Sequence, residues 1–304
     1  MLSNKKIKCP INLLKLAKMA IPVKAAIVSA GNKLAMISAK EASKKSLIEP
    51  IFIGDKKKIE KEAKLINWNI SKFEIIHETK NENNAIIGAS LASKGKAEIL
   101  VKGNIHTDIL MKTILKKEFN LITTKRLSHL WHMTVESKGR PLFITDGALN
   151  VSPRIEVKMH ILRNVIEFAN KLGITRPKVA ILSGTEDPIK SLPSSMDALE
   201  IMKRSKEENL KADVFGPLAF DNSVSIKAAK IKNIKNSVAG NADILLVPNL
   251  ETGNSLTKMM VYFMSACAAG IVVGGKVPIV VTSRADDMES RLASIAAAVI
   301  ASKK

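Results

Sequence analysis

Short β-branched runs alternate with helix-length segments from one end of the chain to the other. Residues 23–29, 51–53, 73–76 and 98–101 read as strands, and the segments near 33–45, 56–66 and 83–93 read as the helices between them. That rhythm predicts βαβ units, hence a mostly parallel sheet with helices on both faces. After the fourth strand, Lys102-Gly103-Asn104 forms a turn and Thr107 is placed to cap the next helix. A lysine beside a helix N-terminus suits an anion, and the glycine lets backbone approach a ligand.

Between residues 121 and 139 the pattern becomes irregular, with Ser128, His129, Trp131 and His132 close together. A new start follows at residues 142–145 and continues through Asp146-Gly147. Ser152-Pro153 then supplies a cap and a first-turn proline for a helix running to Leu172. These observations put a domain boundary near Gly139, with a first domain over 1–139 and a second over 140–283. In the second, residues 178–182 form a strand and Pro193 opens a helix. Asp213 leads through a short strand into Gly216-Pro217-Leu218-Ala219-Phe220-Asp221-Asn222.

Residues 243–290 concentrate the strongest signals. A β-branched run at 244–247 breaks at Pro248 and passes through a turn, Glu251-Thr252-Gly253-Asn254, into a long apolar helix. The string Ala266-Cys267-Ala268-Ala269 reads as the end of that helix, stopped by Gly270, with buried strands at 271–273 and 278–282. The second strand delivers Ser283-Arg284 to its carboxyl end, where open α/β sheets bind their ligands. Asp286, Asp287 and Glu289 then open the last helix, where carboxylates complement the positive end of its dipole.

Composition narrows the function classes. With 46% hydrophobic residues among 304, the chain has enough apolar side chains for a large core or two smaller ones. A formal charge of +20 raises nucleic acid or an anionic substrate as partner, but the lysines are spread along the whole chain and only 4% of residues are aromatic. A solvated lysine-rich surface is the expectation, and nucleic acid is disfavoured. Cys9 and Cys267 cannot make a disulfide framework and read as reduced thiols of a cytoplasmic protein. The uncharged run at 259–275 contains Gly270 and changes from helix-like to strand-like composition, so it reads as buried structure and not as a membrane span. His129 and His132 lack further ligand-type neighbours at metal spacing, so no metal site is expected.

Taken together, LVKGNIHTDILMK from Leu100, RLSHLWHM from Arg126, ITDGALNVSP from Ile144, GPLAFDNSVS from Gly216, VAGNADILLVPNLETGNSLTK from Val238 and KVPIVVTSRADDMES from Lys276 resemble the phosphate acetyltransferase and phosphate butyryltransferase family. The resemblance implies a two-domain α/β fold like that of the isocitrate and isopropylmalate dehydrogenases. The C-terminal helix, about 284–304, would return to the first domain. It also implies a homodimer, an active site in the interdomain cleft, and reversible transfer of a short acyl group between coenzyme A and inorganic phosphate. Coenzyme A is then a substrate, and no tightly bound cofactor is expected.

By match to the family's Ser-Arg motif, Arg284 clamps the charge that develops in the transition state and Ser283 is its hydrogen-bonding partner. Lys102, Asp221, Asn222, Glu251, Gly253, Asn254 and Lys258 are the substrate-binding candidates. Acetyl-type members continue after Ser-Arg with Gly-Cys and place a basic aspartate seven residues after the serine; this chain continues Ala285-Asp286-Asp287 and has Ser290 there, as butyryl-type members do. Asn249 also replaces a common aspartate. The base therefore falls among the neighbouring carboxylates, with Asp287 slightly favoured, or a water or the positive field of Arg284 takes that part without a carboxylate. The alternative from another class is a non-catalytic nucleotide or nucleic-acid binder on the same scaffold, which would show steeply salt-dependent affinity. A metal-dependent dehydrogenase is disfavoured because no strand end offers clustered aspartates.

Overall fold

The structure is a computed structural model that describes residues 3–19, 21–136, 139–282 and 286–303. In chain order its elements are α1 (Ile11–Lys18), β1 (Val23–Val28), α2 (Lys33–Lys44), β2 (Ile48–Gly54), α3 (Lys56–Leu65), β3 (Ile75–His77), α4 (Asn81–Ser93), β4 (Ile99–Lys102) and α5 (Thr107–Ile114). There follow β5 (Ser128–Thr134), β6 (Leu142–Thr145), α6 (Ile155–Lys171), β7 (Lys178–Leu182), α7 (Pro193–Glu207), β8 (Asp213–Leu218), α8 (Phe220–Val224) and α9 (Ile226–Ile231). The chain closes with β9 (Ile244–Leu246), α10 (Leu250–Met264), β10 (Cys267–Val273), β11 (Ile279–Val280) and α11 (Met288–Ser302). Contacts divide it into a terminal unit, Ile7–Lys125 with Ala269–Lys304, and a central unit, Met1–Lys6 with Arg126–Ala268.

In the terminal unit the strands run in the order β3-β2-β1-β4-β11-β10, parallel except where β10 meets β11. The chain moves outward from β1 to β3 and then returns to β4 on the other side of β1. Right-handed crossovers therefore put α2 and α3 on one face and α4 on the other. The reversal makes the carboxyl ends of β1 and β4 the place where a crevice opens in such sheets. Here the two loops lock together: Gly103 and Asn104 donate backbone N–H bonds to Val28 and Ser29, each at 2.8 Å. A Cβ on Gly103 would lie 2.4 Å from the Ser29 carbonyl oxygen, so no side chain fits. α11 packs on β4, β11, α1 and α2, and every residue from Ser290 to Ile300 in it is buried. Its alanines allow that close approach on all sides.

In the central unit the order is β5-β6-β9-β7-β8, with β5 antiparallel to β6 and the remaining pairs parallel. β9 lies between β6 and β7 with all three of its residues buried, and because side chains on both faces are covered its sequence, Ile-Leu-Leu, carries no polar alternation. α6 and α7 pack together, with α6 on β5 and β6 and α7 on β7 and β8. α10 lies against β5 and β6 and shares a core with Trp131, Ile144, Leu245 and Val247.

Several expectations change. The irregular stretch at 121–139 contains β5, buried along all seven residues, so the break in contacts falls before it, at Lys125, whereas the sequence pattern places a boundary after it, near Gly139. Ser265 adopts a left-handed backbone (φ 52°) and ends α10, so Cys267 and its alanine neighbours form a strand and not the last turn of a helix. Glu251-Thr252-Gly253-Asn254 is already helical: Asn249 is the N-cap, accepting from the Thr252 N–H at 2.9 Å. Neither Thr107 nor Ser152 caps a helix; His106 and Arg154 hold those positions and give no side-chain cap bond.

β5 carries two buried histidines, and burial decides their charge. His132, 4% exposed, lies with its ring edge against Phe143 at 5.3 Å between centroids, and desolvation pushes its pKa from 6.5 down to about 4. Between those values the unfolded chain binds the proton that the folded chain refuses, so stability is full above pH 6.5 and is lost as pH falls toward 4. The loss from this one group is on the order of 3 kcal/mol. Urea unfolding at pH 7.5 and pH 5 should show a marked drop at the lower pH, and His132→Leu should make it clearly smaller without abolishing it, because burial likewise holds His129 down to about 4. Equal drops in the wild type and the variant would show that this histidine is not held neutral by burial.

Candidate active site

Among the described residues, the side chains of Asp287, Glu289, Ser290 and Arg291, with Thr282 before them, organise the amino end of α11 in the terminal unit. β11 runs out through Thr282; Ser283 and Arg284, the expected reacting pair, lie with Ala285 outside the described residues. The chain is described again from Asp286. Asp287 is the N-cap of α11: its Oδ1 accepts from the N–H groups of Glu289 and Ser290 at 2.9 and 3.0 Å, and its Oδ2 accepts from the Ser290 hydroxyl at 2.7 Å. Glu289 turns the other way and accepts the backbone N–H of Cys9 at 2.8 Å, tying the N-terminal segment to the helix. Burial, with Glu289 beside it, pushes the Cys9 thiol up to about 12, so it is inert at neutral pH.

Arg291, one turn into α11 and 7% exposed, reaches back past the cap. Its Nε donates to the Asp286 carbonyl at 3.1 Å and its Nη1 to the Thr282 hydroxyl at 3.0 Å. Burial lowers its pKa below the ordinary arginine value, opposed by the nearby Asp286 and Asp287 carboxylates. Lys102 ends β4 in the same unit, paired in register with Val28 and only 9% exposed, one residue beyond the Val101–Val280 pair of β4 and β11. Lys102, Thr282 and the α11 cap thus stand at the carboxyl ends of neighbouring parallel strands.

In the central unit the strand ends are built by close backbone approach. Asp146, just after β6 and 2% exposed, accepts from four donors: the N–H groups of His129, Ala148 and Leu149 at 2.9, 3.0 and 2.9 Å, and Asn150 Nδ2 at 2.7 Å. That carboxylate is a bracket for the turn. Gly147 then meets the first turn of α10: a Cβ on Gly253 would lie 2.8 Å from the Gly147 Cα. Asn254 Nδ2 donates to the Gly147 carbonyl at 3.3 Å. Gly253 and Asn254 therefore join two strand ends. Glu251 is exposed and Lys258 half-buried, and helical spacing puts them with Asn254 on one side of α10.

Asn222, fully buried in α8, donates from Nδ2 to Glu186 Oε1, and Lys232 donates to both oxygens of the same glutamate at 3.1 Å. The main-chain carbonyl of Asn222 also accepts the Gly240 N–H at 2.7 Å. Asp221 beside it is exposed. The structure thus brings Asn222, Gly253 and Asn254 into defined contacts, whereas Asp221, Glu251 and Lys258 present themselves at the surface of their helices. The sequence pattern missed Glu186 and Lys232 as a pair, and it missed Arg291. Lys232 is hidden in a lysine-rich run. Arg291 carries a visible signal, a positive charge in the first turn of a helix that opens with acids.

A groove of about 620 Å³ beside Trp68 and Phe73 lies away from these strand ends and contains none of the site candidates. Among the described residues no three His, Cys, Asp or Glu side chains are grouped to hold a metal ion, and no helix is long and apolar enough to cross a membrane.

Comparison with known proteins places this architecture. The family model described as phosphate acetyl/butaryl transferase matches residues 76–299. Over 286 residues the chain is 39% identical to the phosphate acetyltransferase of Rickettsia felis, a match covering 93% of this chain and 82% of that protein. Over 283 residues it is 36% identical to the phosphate butyryltransferase of Clostridium acetobutylicum, covering 92% and 94%. The crystal structure of a branched-chain phosphotransacylase from Enterococcus faecalis superposes with a TM-score of 0.80 at 31% identity, covering 92% of this chain and 99% of that one. With most of its length matched in both sequence and backbone, the chain belongs to the phosphate acetyl/butyryl transferase family.

Proposed function

We propose that the chain is a phosphate acyltransferase that moves a short acyl group reversibly between coenzyme A and inorganic phosphate. The observation that carries this reading is the family match, which spans the strand β11, the Ser283-Arg284 pair and the helix α11 that follows. Nothing in the relatives or in the fold favours the nucleic-acid alternative. Coenzyme A and phosphate are substrates in this scheme, and the chemistry asks for charge stabilisation, not for an electron carrier.

In the direction from acyl-CoA, a phosphate oxygen attacks the thioester carbonyl and a tetrahedral oxyanion forms. The C–S bond then breaks, leaving acyl phosphate and the coenzyme A thiolate, which takes up a proton. Arg284 is assigned the clamp on the oxyanion and the phosphate, because a guanidinium offers two parallel charge-assisted hydrogen bonds. Ser283 is assigned a supporting hydrogen bond. In reverse the thiol must lose its proton, since at neutral pH only a few per cent is thiolate. We assign this step to Asp287, acting through Oδ2, the oxygen that also holds the Ser290 hydroxyl.

Lys102 suits the anionic groups of either substrate from its place at the end of β4. Asn222, Gly253 and Asn254 shape the loops around the central strand ends, and Asp221, Glu251 and Lys258 are the proposed substrate contacts of the central unit. The finer likeness to the isocitrate and isopropylmalate dehydrogenase fold belongs to the same reading; α11, grouped with the first part of the chain, supports it. So does a homodimer, for which the exposed Met259, Tyr262 and Phe263 on α10 offer an apolar surface. Two free cysteines suit the reducing cytoplasm.

Two measurements bear on this. Free thiol should be released from butyryl-CoA only when phosphate is present, unaffected by chelator, and four-carbon acyl groups should be accepted at least as well as acetyl. The preference should be moderate, because each methylene in an apolar pocket is worth about 1 to 3 kcal/mol. Equal release without phosphate would make the protein a thioesterase. Separately, Asp287→Asn keeps an excellent N-cap while removing the proton acceptor. Its urea midpoint should match the wild type while kcat from acyl phosphate falls about 100-fold and the acidic limb of the pH profile disappears. A wild-type rate and limb would leave Asp287 a cap alone.

A further inference from the structure

The groove beside Trp68 and Phe73 has no part in the reaction proposed above. It measures about 620 Å³ and lies in the terminal unit, between one side of α3 and the loop leading from α3 to β3. The path of that loop is set locally. Asn67 takes a left-handed backbone (φ 51°); its N–H donates to the Lys64 carbonyl at 3.0 Å, and the Trp68 N–H donates to the Ala63 carbonyl at 2.9 Å. This pair of bonds is a Schellman motif, which folds the following residue back against the last turns of the helix. Ring contacts then fix the Trp68 side chain: it meets Phe52 edge-on and Phe73 at a tilt, each at 5.6 Å between centroids. Phe52 is fully buried, whereas Trp68 and Phe73 are half-buried and line the groove. The floor is therefore aromatic, held from behind and still open.

Along the helix wall the groove meets Lys56, Glu60 and Lys64, spaced four residues apart and hence on one side of α3 over about 12 Å. Such a row by itself is an ordinary solvated helix face. Beside an aromatic floor it becomes a succession of different contacts. We propose that this groove binds a nucleoside phosphate, with its base stacked on Trp68, its ribose hydroxyls donating to Glu60 and its phosphate held by Lys56. Lys56 stands at the amino end of α3, where the helix dipole adds to its charge. A carboxylate on ribose hydroxyls is how acidic residues serve in dinucleotide sites. Lys64 and Asn69, at the base end, carry donors for ring nitrogens or carbonyls. Lys56 and Glu60 form an ion pair at 3.9 Å with both side chains more than half exposed, a pairing weak enough in water to open for a ligand. Small-molecule sites measure about 300 to 1,000 Å³, so one nucleotide fits. A bare anion would leave the aromatic floor unused, and an apolar partner would leave the lysines unpaired. None of the acyl-transfer candidates lines this groove, so its nucleotide is a ligand separate from the proposed reaction.

Tryptophan fluorescence tests this directly. The chain has two tryptophans, and Trp131 is only 7% exposed in the core of the central unit, so quenching by an added ligand reports Trp68. AMP should quench saturably with a Kd below about 1 mM. Ribose 5-phosphate and inorganic phosphate, which have no base to stack, should not quench. Adenosine should quench but bind at least about threefold more weakly than AMP, because it lacks the charge-assisted contact to Lys56. Coenzyme A itself carries an adenine nucleotide, so variants locate the site. Trp68→Phe, which keeps a ring against Phe52, should lose the quenching. Lys56→Gln, on the exposed side of α3, should weaken AMP about 3- to 10-fold and leave adenosine unchanged. The proposal is overturned if AMP gives no saturable quenching up to about 10 mM, or if AMP and adenosine bind equally well. Quenching that survives Trp68→Phe, or AMP affinity untouched by Lys56→Gln, would place the nucleotide elsewhere and overturn it as well.

Discussion

α11 is buried from Ser290 to Ile300 while its amino end, at Asp287 to Glu289, lies at the edge of the core, so the place where the helix enters the core has to be fixed there. The requirement to satisfy its first N–H groups dictates what stands before it. Asp287 accepts two of those amides and the Ser290 hydroxyl, and Glu289 holds the N-terminal segment through Cys9. The amino end of α11 is consequently a fixed point in the terminal unit. Arg291 donates back from this end to the Asp286 carbonyl and to the Thr282 hydroxyl beyond β11. The catalytic assignment depends on this junction more than on any single acid or base.

The same economy of construction appears in the central unit, where loops at strand ends are set by backbone approaching backbone. Gly253 against Gly147 leaves no room for a Cβ, and Asp146 spends its carboxylate on three donors within its own turn and on the His129 N–H of β5. Side chains that look like chemistry in the sequence are, in these places, architecture. Asn222, held by Glu186 and in turn by Gly240, belongs to the same class. Rigid strand ends of this kind are what a reaction governed by orientation and charge requires, because small displacements of a reacting group are expensive.

Much of this is legible in the sequence because parallel strands covered on both faces write themselves as apolar runs, as in β1 after Lys24, β7 after Lys178 and the whole of β9. The strand–turn–helix signal around Pro248 and the acids before α11 were readable for similar reasons. β5 was not: Ser128, His129 and His132 are polar in composition yet buried, so neither alternation nor hydrophobicity marks the strand. The end of α10 is hidden in the sequence because a string of small residues is compatible with helix and strand alike, and the left-handed Ser265 separates them only in the fold. Arg291 and Lys232 were missed because their partners are distant or lie backward across a cap, and pairings of that kind leave no period in the sequence.

The central claim is that acyl transfer to phosphate proceeds by charge stabilisation from Arg284 at the junction before α11. The most direct measurement follows acyl phosphate itself by phosphorus NMR, with butyryl-CoA and phosphate as reactants and Arg284→Ala and Arg284→Lys beside the wild type. The account predicts acyl phosphate from the wild type. For Arg284→Ala it predicts a kcat lower by about 100- to 1000-fold, as for loss of an oxyanion donor. Arg284→Lys should recover little, because a point charge lacks the planar fork. Acyl phosphate formed by Arg284→Ala at the wild-type rate would contradict the account.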